Sequence, residues 1–337
     1  MAELRNRVVV ITGASSGFGK GVAEKFTRSG AHVVLAARRK NVLEKLAKSC
    51  ARRGVGVLAV ETDVSHRPDV ERLEEEALRA FGRIDVWINN AGVATYGRFD
   101  EIPIAEHEQV IRTNLLGCLY GSHIALKQFR LQGHGTLINV GSFAGVQAAP
   151  YFASYCASKF GVRGLDMSLR QELEANHERN VHVCTVMPTS MDTPFFQHAA
   201  NHTGKPVAPI PPVYDPQEVI DAIYEVALNP KDEVIVGSRG KVGRAVRRVA
   251  PRLMEHQMAT RSHKAYMERE GTAPETSGNL FDEVDFGNDV RGGWRKGSTA
   301  GSVIKTAAVL GIPALIAFAL RGNIWRGQQS QGRTRAA

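Results

Sequence analysis

The 337-residue chain reads as a doubly wound α/β protein, a parallel sheet of about seven strands with helices on both faces and a helical C-terminal extension. Three observations carry that reading. Short apolar runs alternate with amphipathic stretches between residues 8 and 236, as expected for strands buried on both faces and their crossover helices. The first run, Val8-Val9-Val10-Ile11, passes directly into Thr12-Gly13-Ala14-Ser15-Ser16-Gly17-Phe18-Gly19 and then into a helix. Four runs also end in polar or glycine residues at their carboxyl ends, where ligands lie in open α/β sheets.

A strand, a tight glycine turn and a helix N-terminus together make a phosphate site, because unpaired N–H groups face the ligand and the helix dipole adds about half a positive charge. Gly13, Gly17 and Gly19 let the backbone approach an anion, and Ser15, Ser16 and Phe18 complete the turn. Gly13 to Gly17 also spells a nucleophile elbow with Ser15 at its centre, but that motif needs several strands ahead of it and only one precedes. His32–Ala36 is the second strand, and it ends in Ala37-Arg38-Arg39-Lys40. Asn41 to Glu44 then spells a capping box for the next helix. About 20 residues past such glycines, an acid reads the ribose 2′-hydroxyl of NAD, whereas an arginine accommodates the 2′-phosphate of NADP. Arg38 and Arg39 stand there and no acid does, so NADP is expected over NAD, with a plain solvated basic turn as the alternative.

Gly56–Val60 is the third strand, ending in Thr62-Asp63-Val64. Asp69–Phe81 is a charged helix, and Ile84–Ile88 is the fourth strand, closing on Asn89-Asn90-Ala91-Gly92. A long helix over Ile104–Leu131 contains Asn114, and Gly135–Val140 is the fifth strand, leading into Gly141-Ser142. The helix from Tyr151 to about Glu178 carries Tyr155 and Lys159, which share a face because they are four apart. Val181–Val186 is the sixth strand, ending at Met187-Pro188-Thr189. Residues 190–214 read as a mobile loop over a pocket, Pro216–Leu228 as a helix and Glu233–Val236 as the last strand. His32 and His182, inside apolar strands, read as packed core histidines.

Composition narrows the function. Four cysteines lie far apart without metal-ligand spacing, so no metal is expected, and reduced thiols in the cytoplasm are the default. The first strand begins by Val8, which leaves no room for a signal peptide. The net charge of +9 is uneven: residues 1–230 hold 25 Lys/Arg against 24 Asp/Glu, and residues 231–337 hold 18 against 10. The main part is near neutral, so nucleic acid is not implied, and the basic excess belongs to the tail.

The pattern resembles the short-chain dehydrogenase/reductase family, a Rossmann-fold family of NAD(P)-dependent oxidoreductases. The matching residues are Thr12-Gly13-x3-Gly17-x-Gly19, Asn89-Asn90-Ala91-Gly92, Asn114, Ser142 and Tyr155-x3-Lys159, in the family's order over about residues 6–240. One departure is Pro188-Thr189, where the family usually has Pro-Gly. The resemblance implies reversible hydride transfer between NADP and a carbonyl or secondary alcohol. In it Tyr155 is the general acid or base, Ser142 stabilises the substrate oxygen, Lys159 lowers the phenol pKa and holds the nicotinamide ribose, and Asn114 positions a relay water. It also implies Asp63 and Val64 beside the adenine, with capping of the next helix as the other reading of Asp63. Asn90, Ala91 and Gly92 would support the cofactor's centre, with Pro188 and Thr189 on its nicotinamide side. Relatives commonly pair through the two long helices, so a homo-oligomer is expected. A non-catalytic NADP-binding sensor or scaffold on the same fold is the alternative function, disfavoured because a binder has no need of the acid.

Residues 1–240 are thus read as the catalytic domain and 241–337 as a basic extension. Lys241–Met258 carries Val242, Val246, Val249 and Leu253 on one helical face among arginines, interrupted at Pro251. Residues 271–300, rich in glycine and acids, read as a loose linker. Thr306–Leu320 is an uncharged apolar run of 15 residues within the segment 303–320. As a helix it spans roughly 23 Å, against a hydrocarbon core of about 30 Å. It either packs on protein or brings the tail to a membrane, and the latter would suit a lipophilic substrate such as an acyl chain, retinoid or sterol-like alcohol.

Overall fold

The first strand, β1 (Val8–Thr12), is buried on both sides, and its side chains alternate between two cores. Val9 and Ile11 join one apolar cluster while Val8 and Val10 join the other, the period-2 consequence of a strand sandwiched by helices. The computed structural model describes residues 4–52 and 54–295. After β1 come α1 (Gly17–Arg28), β2 (His32–Ala37), α2 (Lys40–Ala51), β3 (Val57–Glu61), α3 (Arg67–Phe81) and β4 (Val86–Asn89). A two-residue strand β5 (Thr95–Tyr96) precedes α4 (Ile104–Ile111), a π turn (Arg112–Leu116) and α5 (Gly117–Gln132). Then follow β6 (Gly135–Val140), α6 (Ala153–Ala175), β7 (Val181–Pro188), α7 (Phe195–His198), β8 (Ala200–Asn201), α8 (Pro216–Leu228), β9 (Glu233–Val236), α9 (Ser238–Val249) and α10 (Pro251–Tyr266).

The main sheet has seven strands in the order β3-β2-β1-β4-β6-β7-β9, every pairing parallel. The chain therefore winds outward from β1 to β3, returns to the other side of β1 at β4 and continues the opposite way. The crevice between the ends of β1 and β4 is the reversal point where ligands enter such sheets. Gly13 sits there at φ 66°, and a Cβ on it would stand 2.8 Å from Ala91 Cα. A Cβ on Gly19 would collide with the Gly13 carbonyl.

Several expectations need correction. The long helix is interrupted by the π turn that contains Asn114. The capping box at Asn41 to Glu44 does not form: α2 starts two residues earlier, at Lys40, with Arg39 at its N-cap and no side-chain cap. Arg39 is committed instead to Ser15, Ser16 and the distant C-terminal segment. Residues 190–214 are not a bare loop, since they hold α7 and β8, and β8 pairs with β5. The break before Pro251 is present, but the face expected to be apolar is not the buried one. Val242, Val249 and Leu253 are exposed, and α9 packs through Gly240 and Gly243, the latter a site where a Cβ would meet Phe143 and Met254.

The largest difference is the stretch expected as a loose linker. Residues 271–294 lie against the domain as a strap. Thr276 bridges Asn201, extending the β5–β8 pair, and Leu280 is fully buried in a cluster with Tyr96 and Tyr266. Ser277 donates to the buried carboxylate of Glu106, which also accepts from Thr95, and Trp294 Nε1 donates to the Thr193 carbonyl. Segment 303–320 lies outside the described residues, and among those described no helix is long and apolar enough to cross a membrane.

Gly13→Ala is expected to lower the unfolding free energy by about 2–4 kcal/mol, combining left-handed strain with overpacking against Ala91. A shifted denaturant midpoint at constant slope is the measurement.

Candidate active site

A cavity of roughly 400 Å³ runs along the carboxyl edge of the sheet. It is lined by Gly13, Ser15, Ser16, Gly17, Phe18, Arg38, Arg39, Asp63, Val64, Asn90, Ala91, Gly92, Ser142, Tyr155, Lys159, Pro188 and Thr189. All the expected site residues thus converge except Gly19 and Asn114, which brace it from behind.

The β1 and β4 turns are clasped together. Asn90 Nδ2 donates to the Thr12 and Gly13 carbonyls at 2.9 and 3.2 Å, and Thr12 Oγ1 accepts from the backbone N–H groups of Asn90 and Ala91. Asn90 thereby shapes the Gly13–Gly19 turn from within. Behind Gly92, Asn114 Oδ1 accepts from the Val93 N–H at 2.8 Å, while its Nδ2 donates to the Val93 carbonyl and to Ser158 Oγ. Both Nδ2 donors of this asparagine are thus taken by protein, which ties Val93 to Ser158, while Oδ1 keeps a second acceptor position. Asn114 Oδ1 and Lys159 Nζ both approach the space beside Gly92, 3.4 and 3.7 Å from where a Cβ would stand.

At the inner end, Ser142 caps the short turn Phe143–Gly145, its Oγ accepting from the Ala144 N–H at 3.1 Å. Tyr155, on the first turn of α6, is stacked on Phe152 with ring centroids 5.2 Å apart. Burial raises its phenol to about 12, opposed by a hydrogen bond with Ser142. The expectation that Lys159 draws this phenol down is therefore not met. The ammonium lies 5.7 Å from the ring centroid and donates to the Val140 carbonyl at 2.9 Å, while desolvation dominates the hydroxyl. Burial also lowers Lys159 to about 8, with Cys118 and Asp166 acting the other way.

The remaining residues divide. Asp63 lines the cavity, but its Oδ1 accepts from Ser65 N–H and Oγ, so it also fastens the turn before α3. Thr189, in the place of the family's usual glycine, ties to β9 by donating from its N–H and Oγ1 to the Val236 carbonyl. Ser15 is buried, and its Oγ accepts from Arg39, a brace with no nucleophile's base beside it. His32 Nδ1 accepts from Gly56 N–H and its ring stacks on Phe81, a packed histidine as expected. No metal-holding cluster occurs among the described residues, and Cys50, Cys118, Cys156 and Cys184 are free and buried.

A family model described as short chain dehydrogenase matches residues 7–204. The chain belongs to the short chain dehydrogenase family. It is an oxidoreductase, and relatives place it among enzymes. The uncharacterized oxidoreductase YxnA of Bacillus subtilis is 34% identical over 329 residues, covering 93% of this chain and 91% of that protein, so the likeness takes in part of the extension. An alcohol dehydrogenase of the archaeon Thermococcus sibiricus, solved with 5-hydroxy-NADP, is 28% identical with a TM-score of 0.60, over 68% of this chain and 95% of that one. A 3-ketoacyl-(acyl-carrier-protein) reductase of Brucella melitensis, solved with NADH, is 26% identical with a TM-score of 0.62, over 70% and 99%.

Sequence reasoning about this dehydrogenase missed two groups of lining residues. Tyr96, Phe152, Phe195, Phe196, Met254, Met258 and Tyr266 form an apolar compartment next to Tyr155, and Asn279, Glu283 and Val284 of the strap close the end near Arg38. The aromatic residues of 190–214 were a usable signal for the first. For the second none existed, because the strap reads as polar linker until its partners are known.

Asn114→Ala is expected to cost about 2–4 kcal/mol of stability by leaving both Val93 backbone groups without their partner. Denaturant unfolding of the pair Asn114→Ala and Ser158→Ala tests it, with the serine change costing much less.

Proposed function

We infer that this dehydrogenase uses NADP in preference to NAD to reduce a carbonyl on a lipophilic organic substrate, with Tyr155 as general acid. The observation that carries the reading is the convergence of Ser142, the Tyr155 phenol and the Lys159 amine at the inner end of a cleft whose other end holds Arg38 and Arg39. The close approach at Gly13 and Gly19, where a Cβ has no room, fits a dinucleotide lying on that turn. Solved relatives carrying NADP-type and NAD-type ligands support a nicotinamide dinucleotide.

In this reading residues 1–240 form the catalytic part and 241–337 the extension. Arg38 and Arg39 take the 2′-phosphate, the Gly13–Gly19 turn the pyrophosphate, Asp63 and Val64 the adenine side, and Lys159 the nicotinamide ribose. When bound, the nicotinamide supplies hydride to the carbonyl carbon. Ser142 then hydrogen-bonds the substrate oxygen as charge develops on it, and Tyr155 delivers its proton there. A phenol near 12 holds its proton throughout the neutral range, which suits an acid in reduction better than a base in oxidation. Val140 fixes Lys159 through its carbonyl, keeping the amine beside the ring. The compartment walled by Phe152, Phe195, Phe196, Met254 and Met258 excludes water from the reacting centre and supports an apolar substrate body.

Tyr155→Phe is expected to reduce ketone turnover by about 10²- to 10⁴-fold with NADPH binding unchanged. A panel of ketones and aldehydes, followed by NADPH absorbance, measures it. No turnover by the unaltered protein while NADPH still binds would refute the reading. The pH profile of reduction is expected to be flat on the acid side and to fall above about 8, where Lys159 loses its proton. Membrane contact through the extension is supported by the uncharged apolar run Thr306–Leu320 between Lys305 and Arg321 in the sequence, with the basic α9 nearby in the chain as a secondary contact. Deleting residues 300–337 should then release the protein from anionic vesicles in flotation, and unchanged partition counts against it.

A further inference from the structure

The arginines assigned to the cofactor are already occupied. Arg38 donates to the carbonyls of Asn279, Leu280 and Phe281 at 2.5, 3.4 and 3.0 Å. Arg39 donates through Nη1 to the carbonyls of Val284 and Phe286 and to Asn288 Oδ1 at 3.1, 3.2 and 2.5 Å, while its Nε and Nη2 hold Ser15 and Ser16. Glu283 and Asp285 act electrostatically on Arg39, holding up a guanidinium that burial pulls down. A neighbouring donor is taken in the same way, Gly17 N–H giving to the Asp289 carbonyl at 2.9 Å.

We propose that residues 282–289 are a tethered competitor for the 2′-phosphate of NADP, occupying Arg39 until a dinucleotide bearing that phosphate displaces them, while Arg38 stays with the pegged end of the strap. The inference rests on the cofactor reading of the cleft. A guanidinium N–H cannot serve a strap carbonyl and a phosphate oxygen at full strength together, so the two ligands exclude one another at these donors. A phosphate makes charge-assisted bonds roughly twice as strong as those to neutral carbonyls, so it can win, at reduced net affinity. Both dinucleotides compete with the strap for the Gly17 N–H, but NAD has no 2′-phosphate and gives up nothing at Arg39, so the strap weakens NADP the more.

The way the strap is fastened suits displacement. Its ends are pegged into the domain, at Ser277 to Glu106 with Leu280 buried, and at Trp294 to Thr193. Between them Phe281 and Phe286 are 48% and 56% exposed, and Asp282, Glu283, Asp285 and Asp289 are exposed too. From 282 to 289 the strap is held by polar contacts to Arg39, Gly17, Lys20 and His198 and by the Phe286 ring against His198, with Val290 packing on the core just beyond. It can lift while its ends stay in place.

Fluorescence titration of NADPH and NADH compares the full chain with a Glu283→Gln/Asp285→Asn/Asn288→Ala variant. NADPH affinity is expected to rise on the order of tenfold in the variant, with NADH affinity little changed. The unaltered chain supplies a second readout: adenosine 2′,5′-bisphosphate should accelerate chymotryptic cleavage at Phe281 and Phe286, and 5′-AMP should not. An unchanged or falling NADPH-to-NADH affinity ratio, or slower cleavage with the bisphosphate, overturns the proposal while leaving the cofactor reading intact. Failure of both dinucleotides to bind either protein overturns the two together.

Discussion

The site depends first on a pair of turns that must approach more closely than side chains allow. Strands β1 and β4 are sequence-distant neighbours, and the reversal of winding between them leaves their carboxyl ends without a crossover helix above. Glycine at position 13 lets the turns touch, and Asn90 makes that contact specific by donating to the carbonyls of Thr12 and Gly13. An asparagine amide supplies two donors on one planar group, which suits two carbonyls one residue apart. Everything along the cavity is registered to that clasp.

The chemistry at the far end follows from burial more than from a neighbouring charge. Tyr155 and Lys159 are 9% and 5% exposed, and removing water pushes each toward its neutral form, the phenol up and the amine down. Ser142 is the one group that works against this on the phenol, so its placement by the Phe143–Gly145 turn matters as much as its hydroxyl. The pair therefore holds a proton on oxygen and a labile charge on nitrogen over the same pH interval.

Most of the framework was legible because it is local. Apolar runs such as Val8–Ile11 and Val33–Ala36 bury both faces whatever surrounds them, and Pro216–Leu228 carries its own start signal in Asp215, whose side chain caps the helix. The converging residues were legible through the family resemblance, which singled out Ser142, Tyr155 and Lys159, while helical spacing added that the last two share a face. Three things were not. The π turn at Asn114 depends on Val93, which lies 21 residues away. The buried face of α9 is set by Gly240 and Gly243 closing on Phe143, against the apparent apolar stripe of Val242, Val249 and Leu253. The strap reads as linker because its partners, Arg38 and Arg39, stand 241 to 249 positions away and its own groups are mostly backbone carbonyls, which carry no sequence signal.

The extension also changes how the chain's charge should be understood. Residues 231–337 hold 18 Lys/Arg and 10 Asp/Glu, yet four of those acids, Asp282, Glu283, Asp285 and Asp289, fall within eight positions. Averaged over the tail they vanish into a basic excess. In the folded protein Glu283 and Asp285 act on Arg39 and Asp289 pairs with Lys20, cations from the first forty residues. A site evolved to attract a phosphorylated ligand is necessarily cationic, and in an enzyme without a bound ligand those cations repel one another. An acidic segment of the same chain relieves that repulsion and stabilises the ligand-free form, in proportion to how fully it fills the positions a phosphate would take. Stability without ligand and affinity for ligand are then drawn from the same donors, so neither can rise without the other falling.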